Sequence, residues 1–141
     1  MQYKRFGNDI VVRMNRGEEI LEQVEAVCRA EGVRLAEVSA IGATCDFTVG
    51  VFNVDEKQYH SNSFRGAFEI ASLTGNITEM NGEFYQHLHM VAADEQGRAF
   101  GGHLNRAVIG VTCEMIIRVI DGSVDRFRDE SIGVNLLDFG K

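Results

Sequence analysis

Beyond Gly32 the chain alternates apolar and polar residues almost without pause, and this two-residue period dictates a fold made mostly of sheet. "RLAEVSAIGA" sets Leu35, Glu37 and Ser39 against Ala36, Val38 and Ala40. "FTVGVFNV" and "QYHSNSF" follow after short breaks, then "FEIASLTGNIT", "FYQHLHMVAAD", "RAFGGHL", "VIGVTCEMIIRVI" and a charged tail strand, "SVDRFRDE". One stretch obeys a different period. Between Gly17 and Glu31, the apolar residues Ile20, Leu21, Val24, Val27 and Cys28 gather on one side of a helical repeat, so this segment is an amphipathic helix whose apolar face meets the sheet. Asn15 is the expected N-cap with Glu18 at the third helical position, and Gly32 is the residue free to close the helix in a left-handed conformation. One early helix followed by consecutive strands is an α+β fold with a twisted, mainly antiparallel sheet. The chain has no proline, so "NGEF", "DEQGR" and "DGSV" must turn it with Gly, Asn and Asp.

A length of 141 residues suits one domain, spanning 1–141, with a core of its own. Hydrophobic residues at 45% and charged residues at 25% describe a globule rather than a disordered chain, and the apolar runs are too short to span a bilayer. The N-terminal "MQYKRFGNDIVVRM" lacks the plan of a signal peptide, which makes the cytoplasm the expected location. Cys28, Cys45 and Cys113 are odd in number and widely spaced, as expected of reduced, buried small hydrophobes rather than a disulfide framework. A net charge of -7 argues against a broad phosphate-binding surface, since 21 acidic residues outnumber 14 basic ones. "RFRDE" is mixed in sign and reads as a solvated face.

Three of the four histidines fall within "YQHLHMVAADEQGRAFGGHLNR". A type I turn over Asp94, Glu95, Gln96 and Gly97, with Gly97 left-handed, would pair Asp94 with Arg98. Counting outward from that pair sets His89 opposite His103 and His87 opposite Asn105, so all three imidazoles share one face of the sheet. Cross-strand neighbours lie about 5 Å apart at Cβ, close enough for His side chains to meet at one ion. A bulge at Gly101 or Gly102 would instead turn His103 to the other face, and the same glycines could serve close backbone approach. His87, His89 and His103 are therefore either a metal or ligand site or a hydrogen-bonded polar cluster. A three-imidazole set with no nearby cysteine suits Zn²⁺, with a fourth position left for water or another ligand. Because imidazole must be neutral to ligate, such a metal should leave as pH falls through about 6. His60, in "QYHSN", reads as an exposed residue with no part in the site.

Catalysis would require a base beside the metal, and Glu83 and Glu114 are the nearby carboxylates in sequence, Glu114 more simply a solvent-facing strand residue. Neither GxGxxG nor a P-loop occurs; Ser72 lacks a GxSxG elbow and Ser39 sits in a run of small residues.

The order of helix, "VSAIGATCDFTVGVFN", "FEIASLTGNI", "HLHMVAADEQGRAFGGHL" and "VTCEMIIRVI" resembles the Plants and Prokaryotes Conserved (PPC) domain from Gly17 to Ile120. The resemblance implies a homotrimer, free-standing in bacteria, and its H-x-H and GGH positions fall on His87, His89 and His103. In plants the domain follows an AT-hook and regulates transcription, and bacterial relatives carry a DNA-binding label. This sequence has no Pro and hence no Arg-Gly-Arg-Pro core. The plant partner-contact motif Gly-Arg-Phe-Glu-Ile-Leu aligns with Gly66-Ala67-Phe68-Glu69-Ile70-Ala71, with Ala at the Arg and Leu positions. DNA contact would need a local patch such as Arg65, Arg98 and Arg106. The expectation is thus a homotrimeric binding module with a three-histidine site for Zn²⁺ or a small-molecule ligand, the residues leaving enzymatic activity open. DNA-associated regulation is the second reading and a zinc hydrolase or lyase the third.

Overall fold

The computed structural model describes residues 1–140. Its elements run β1 (Gln2–Phe6), β2 (Asp9–Asn15), α1 (Ile20–Glu31), β3 (Ala36–Asn53), β4 (Gln58–Met80), β5 (Glu83–Ala93), β6 (Ala99–Val119), β7 (Asp125–Asp129) and β8 (Val134–Asp138). Six strands form one sheet in the order β1-β2-β6-β3-β4-β5, every pairing antiparallel, so the α+β expectation holds. A further pairing of β5 with β6 closes β6, β3, β4 and β5 into a ring. No helix is long and apolar enough to cross a membrane.

The strands are longer than the sequence breaks suggest. "AEVSAIGATCDFTVGVFN" is a single strand, because the interruptions at Ala40/Gly42 and Thr44/Asp46 are register shifts inside a continuous ladder. Gly42 marks one of them: a Cβ there would lie 2.3 Å from the Thr112 carbonyl oxygen. The β1–β2 hairpin was not among the expected strands, although Ile10, Val12 and Met14 are buried in strict alternation with exposed Val11, Arg13 and Asn15.

Helix α1 begins later than its expected cap. Gly17 N–H donates to the Ile109 carbonyl at 2.9 Å and Ile109 N–H to the Glu18 carbonyl at 2.9 Å, so this stretch is tied to β6 and cannot coil. Glu19 caps instead, accepting from Glu22 N–H at 2.9 Å, while Glu18 accepts from Asn15 N–H at 2.7 Å. The other end follows the sequence: Gly32 takes φ 66 and Val33 N–H reaches the Cys28 carbonyl at 2.9 Å. Ile20, Val24, Val27 and Cys28 are buried with Ile10, Met14, Val38, Met115 and Ile117 between helix and sheet. A second part of the core is aromatic, with Phe47 stacked on Phe64 at 5.0 Å and Phe64 against Phe100 at 4.6 Å.

The tail departs from expectation. "SVDRFRDE" supplies β7, but its alternation is inverted: Phe127 is exposed while Arg126 is only 6% exposed. The β7–β8 hairpin packs across β4, with Glu79 N–H donating to the Val124 carbonyl at 3.0 Å and Asn81 N–H to Asp125 Oδ1 at 2.9 Å. Of the cysteines, Cys28 and Cys113 are buried and Cys45 is exposed, contrary to the expectation for all three; it sits at the Thr44/Asp46 register shift, where strand alternation no longer governs which way a side chain faces.

Candidate metal centre

The turn over Asp94 to Arg98 forms as the sequence requires. Asp94 N–H donates to the Arg98 carbonyl at 3.0 Å, Gly97 N–H to the Asp94 carbonyl at 2.9 Å, and Gly97 has φ 74. Asp94 Oδ1 also accepts from the backbone of Gln96 and Arg98, which locks the loop. The ladder then runs from Ala93 opposite Ala99 to His89 opposite His103 without a bulge. Gly101 and Gly102 preserve register rather than break it. A Cβ at Gly102 would lie 2.6 Å from the Gly50 carbonyl oxygen, and one at Gly101 2.8 Å from that of Met90. The glycine pair lets β6 pass between β3 and β5, and His103 follows at the point where β6 faces Gly50 on one side and His89 on the other.

The predicted pairing of His87 with Asn105 does not occur. After His103, β6 turns its hydrogen bonds to β3, with a register shift at Asn105, and His87 pairs instead with Asn76 of β4. The shared face survives because it depends only on β5 alternation and on the His89–His103 pair. Ring centroids are 5.1 Å apart for His87–His89, 5.1 Å for His87–His103 and 5.5 Å for His89–His103. One ring nitrogen from each lies within 4.8 Å of the others, and the Nε2 atoms of His87 and His89 are 3.2 Å apart. Nitrogens bound tetrahedrally at about 2.1 Å from one ion stand about 3.4 Å apart, so the donor set fits Zn²⁺ in kind and nearly in spacing. Among the described residues, no carboxylate or carbonyl holds these rings by a hydrogen bond; the one contact is between His87 and His89.

Burial lowers the His87 pKa to about 4, with the charges of His103, Arg126 and His89 adding to the effect. Burial also lowers that of His103, helped by His89. Both rings are therefore held in the neutral, ligating form. A cleft of about 690 Å³ opens over the cluster, roofed by Arg128, Val134, Asn135 and Leu136 of the C-terminal hairpin. No aspartate or glutamate lines it.

Arg126 is the residue that sequence reasoning missed. Its guanidinium donates to Thr78 Oγ1 at 2.8 Å, Asn76 Oδ1 at 2.9 Å and the Asn135 carbonyl at 3.1 Å, and it lies 4.6 Å from the centre of the Tyr85 ring. It thereby fixes the hairpin that roofs the cleft. The available clue was the two-residue period itself, which sets Arg126 and Phe127 on opposite faces of β7.

The remaining candidates lie elsewhere. His60 is exposed and its Nε2 is 2.9 Å from Glu56 Oε2. Glu83 sits at the far end of β5 opposite Met80, and Glu114 lies between Arg13 and Ile41, so neither reaches the cleft. Ser39 and Ser72 border a different hollow. The arginines named for a DNA patch are paired: Arg65 and Arg106 with Asp46 at 3.6 and 3.0 Å, and Arg98 with Asp94 at 2.7 Å.

Comparison with known proteins agrees with this architecture. A candidate DNA-binding protein of Bacteroides thetaiotaomicron is 33% identical, with a TM-score of 0.95 over 98% of this chain and 96% of its own. A metal-containing protein of Archaeoglobus fulgidus is 27% identical, with a TM-score of 0.87 over 97% of this chain and 98% of its own. A plant- and prokaryote-conserved (PPC) protein of Pyrococcus horikoshii is 26% identical, with a TM-score of 0.83 over 99% of this chain and 96% of its own. No curated protein matches by sequence. The model of the Plants and Prokaryotes Conserved (PCC) domain matches residues 1–121, which takes in α1, the whole ring and all three histidines; the chain belongs to that family.

Proposed function

We propose that this chain is a metal-binding module in which His87, His89 and His103 hold a zinc ion through one ring nitrogen each. The observation that carries the reading is the convergence of three ring nitrogens within 4.8 Å, bonded to no carboxylate or carbonyl. A structural histidine cluster is normally tied to carbonyls or carboxylates, and this one is not. The description of the Archaeoglobus relative as metal-containing supports the same assignment. Three protein ligands leave one tetrahedral position open to the cleft, where a small molecule would complete the set. A bound zinc ion would supply Lewis acidity there, but neither Glu83 nor Glu114 is placed to serve as a base, which weakens the hydrolase reading.

The test is metal analysis of untagged protein and two variants. Wild type and His60→Ala should carry zinc near one equivalent per chain, whereas His89→Ala should lose most of it, because two imidazoles cannot replace three and no cysteine lies among the cleft residues. Equal metal in the two variants would show the cluster to be structural.

DNA association is the second reading, supported by the description of the Bacteroides relative. Against it stand a net charge of -7 and the pairing of Arg65, Arg98 and Arg106 with aspartates.

A further inference from the structure

Positive charge around the cleft over the histidines is unbalanced: Arg128 lines it, and Arg126 lies behind the lining residues Tyr85 and Asn135. Arg126 is 6% exposed, yet its three acceptors, Thr78, Asn76 and the Asn135 carbonyl, are all neutral. Arg128, on the cleft wall, approaches only Glu130, at 3.7 Å, where both side chains are largely in solvent. No carboxylate lines the cleft, and a zinc ion would add two further positive charges. A buried cation without a counter-ion is costly, and an anion supplied from outside would relieve that cost.

Hydrogen-bonding capacity points the same way. Tyr85 and Asn135 are bonded to each other at 3.2 Å, and Tyr59 donates to Asn105 Oδ1 at 2.6 Å, so the charged group left facing the cleft is Arg128. Apolar residues also line the cleft, Phe52, Val134 and Leu136 among them. An inorganic anion would leave those side chains facing water, whereas an organic acid would cover them.

We propose that this cleft binds a small organic carboxylate, its charged end among the three imidazoles and Arg128, and its apolar body against Phe52, Val134 and Leu136. The inference rests on the metal assignment above and adds the chemical class of the ligand. Arg126 sets the positive potential from beneath Tyr85, and the open metal position takes one carboxylate oxygen. A guanidinium on the wall suits the second oxygen, since planar two-oxygen groups match its fork of donors.

Calorimetric titration of zinc-loaded, untagged protein tests this with hexanoate, hexanamide and inorganic phosphate as probes, the zinc content of each sample being measured alongside. Hexanoate should bind at least about tenfold more tightly than hexanamide, which has the same shape without the charge, and more tightly than phosphate. Arg128→Gln should weaken hexanoate by about fivefold or more while leaving the zinc content unchanged, and as a surface substitution it leaves the fold intact. Hexanamide binding as tightly as hexanoate, or phosphate binding more tightly, overturns the proposal. Stoichiometric zinc with no hexanoate binding also overturns it and leaves the metal assignment standing. Absence of zinc from the wild type overturns both.

Discussion

His87 is the histidine most altered by the fold. Its neighbours are two other imidazoles and a buried guanidinium, and burial alone disfavours its charged form, so its pKa falls from an ordinary value to about 4. An unfolded chain binds that proton near pH 6.5 while the folded one refuses it until about pH 4, so between those values the unfolded state holds more protons. Stability contributed by neutral His87 is therefore complete above about pH 6.5 and is lost as pH falls toward 4. Thermal melts of metal-free protein should show a midpoint that is flat from pH 8 to 7 and declines through that window. His87→Gln, which has no such titration, should reduce the decline. The same shifts bear on metal retention. The expectation of release near pH 6 assumed ordinary histidines, whereas lowered values at His87 and His103 reduce proton competition for the ion, so half-release should fall below pH 6. The convergence of the three rings was legible from turn chemistry and period-two alternation alone. Their electrostatics were not, because the burial that dominates the shifts is set by tertiary packing and Arg126 acts on His87 from a hairpin distant in sequence.

Among the elements, the β5–β6 hairpin shows most clearly what a sequence can and cannot specify. Its loop was readable because Asp94 and Gly97 determine one turn type, and the register follows by counting. What could not be counted was where β6 leaves β5 for β3, since that exchange is set by the ring closing on itself rather than by any local residue. The glycine pair admitted two interpretations from sequence, bulge or close approach, and contact with the Gly50 carbonyl decides for the second. Gly102→Ala should therefore be destabilising even though alanine suits a strand better than glycine. A Cβ placed 2.6 Å from backbone oxygen forces β3 and β6 apart, at a cost of about 1–3 kcal/mol. Urea denaturation would measure that loss. Metal content should fall with it, because His103 is carried by the same segment. Gly97→Ala is the useful contrast: it has open space around it but φ 74, so it should weaken the fold through backbone strain and leave the histidine spacing unchanged. The start of α1 offers a parallel lesson. Asn15 and Glu18 have the residue types of a cap, but Gly17 and Glu18 are bonded to Ile109, and a tertiary ladder outweighs a local preference.

For the whole molecule, charge and apolar surface make opposite predictions about partners. With a net charge of -7 and Arg65, Arg98 and Arg106 each beside an aspartate, the isolated protein should bind random duplex DNA weakly or not at all at physiological salt. Fluorescence anisotropy would check this, and submicromolar, salt-sensitive binding would restore the DNA reading to first place. The sheet face turned away from α1 is a different matter. Val11 and Ile116 pair across β2 and β6 on that face, and Ile41 stands beside them on β3, all exposed. One helix covers one face of the six-stranded sheet, and the β7–β8 hairpin lies over β4 and β5 on the other, which leaves Val11, Ile41 and Ile116 exposed. Other copies of the chain are the natural cover, and a closed ring of three would bury the patch on every subunit without leaving an open edge. The expected outcome is a trimer in light scattering at micromolar concentration, with Ile41→Glu or Ile116→Glu shifting it toward monomer by placing a charge where apolar surface is buried. A wild-type protein that remains monomeric, with Ile41→Glu unchanged in mass, would mean that this face serves some other partner.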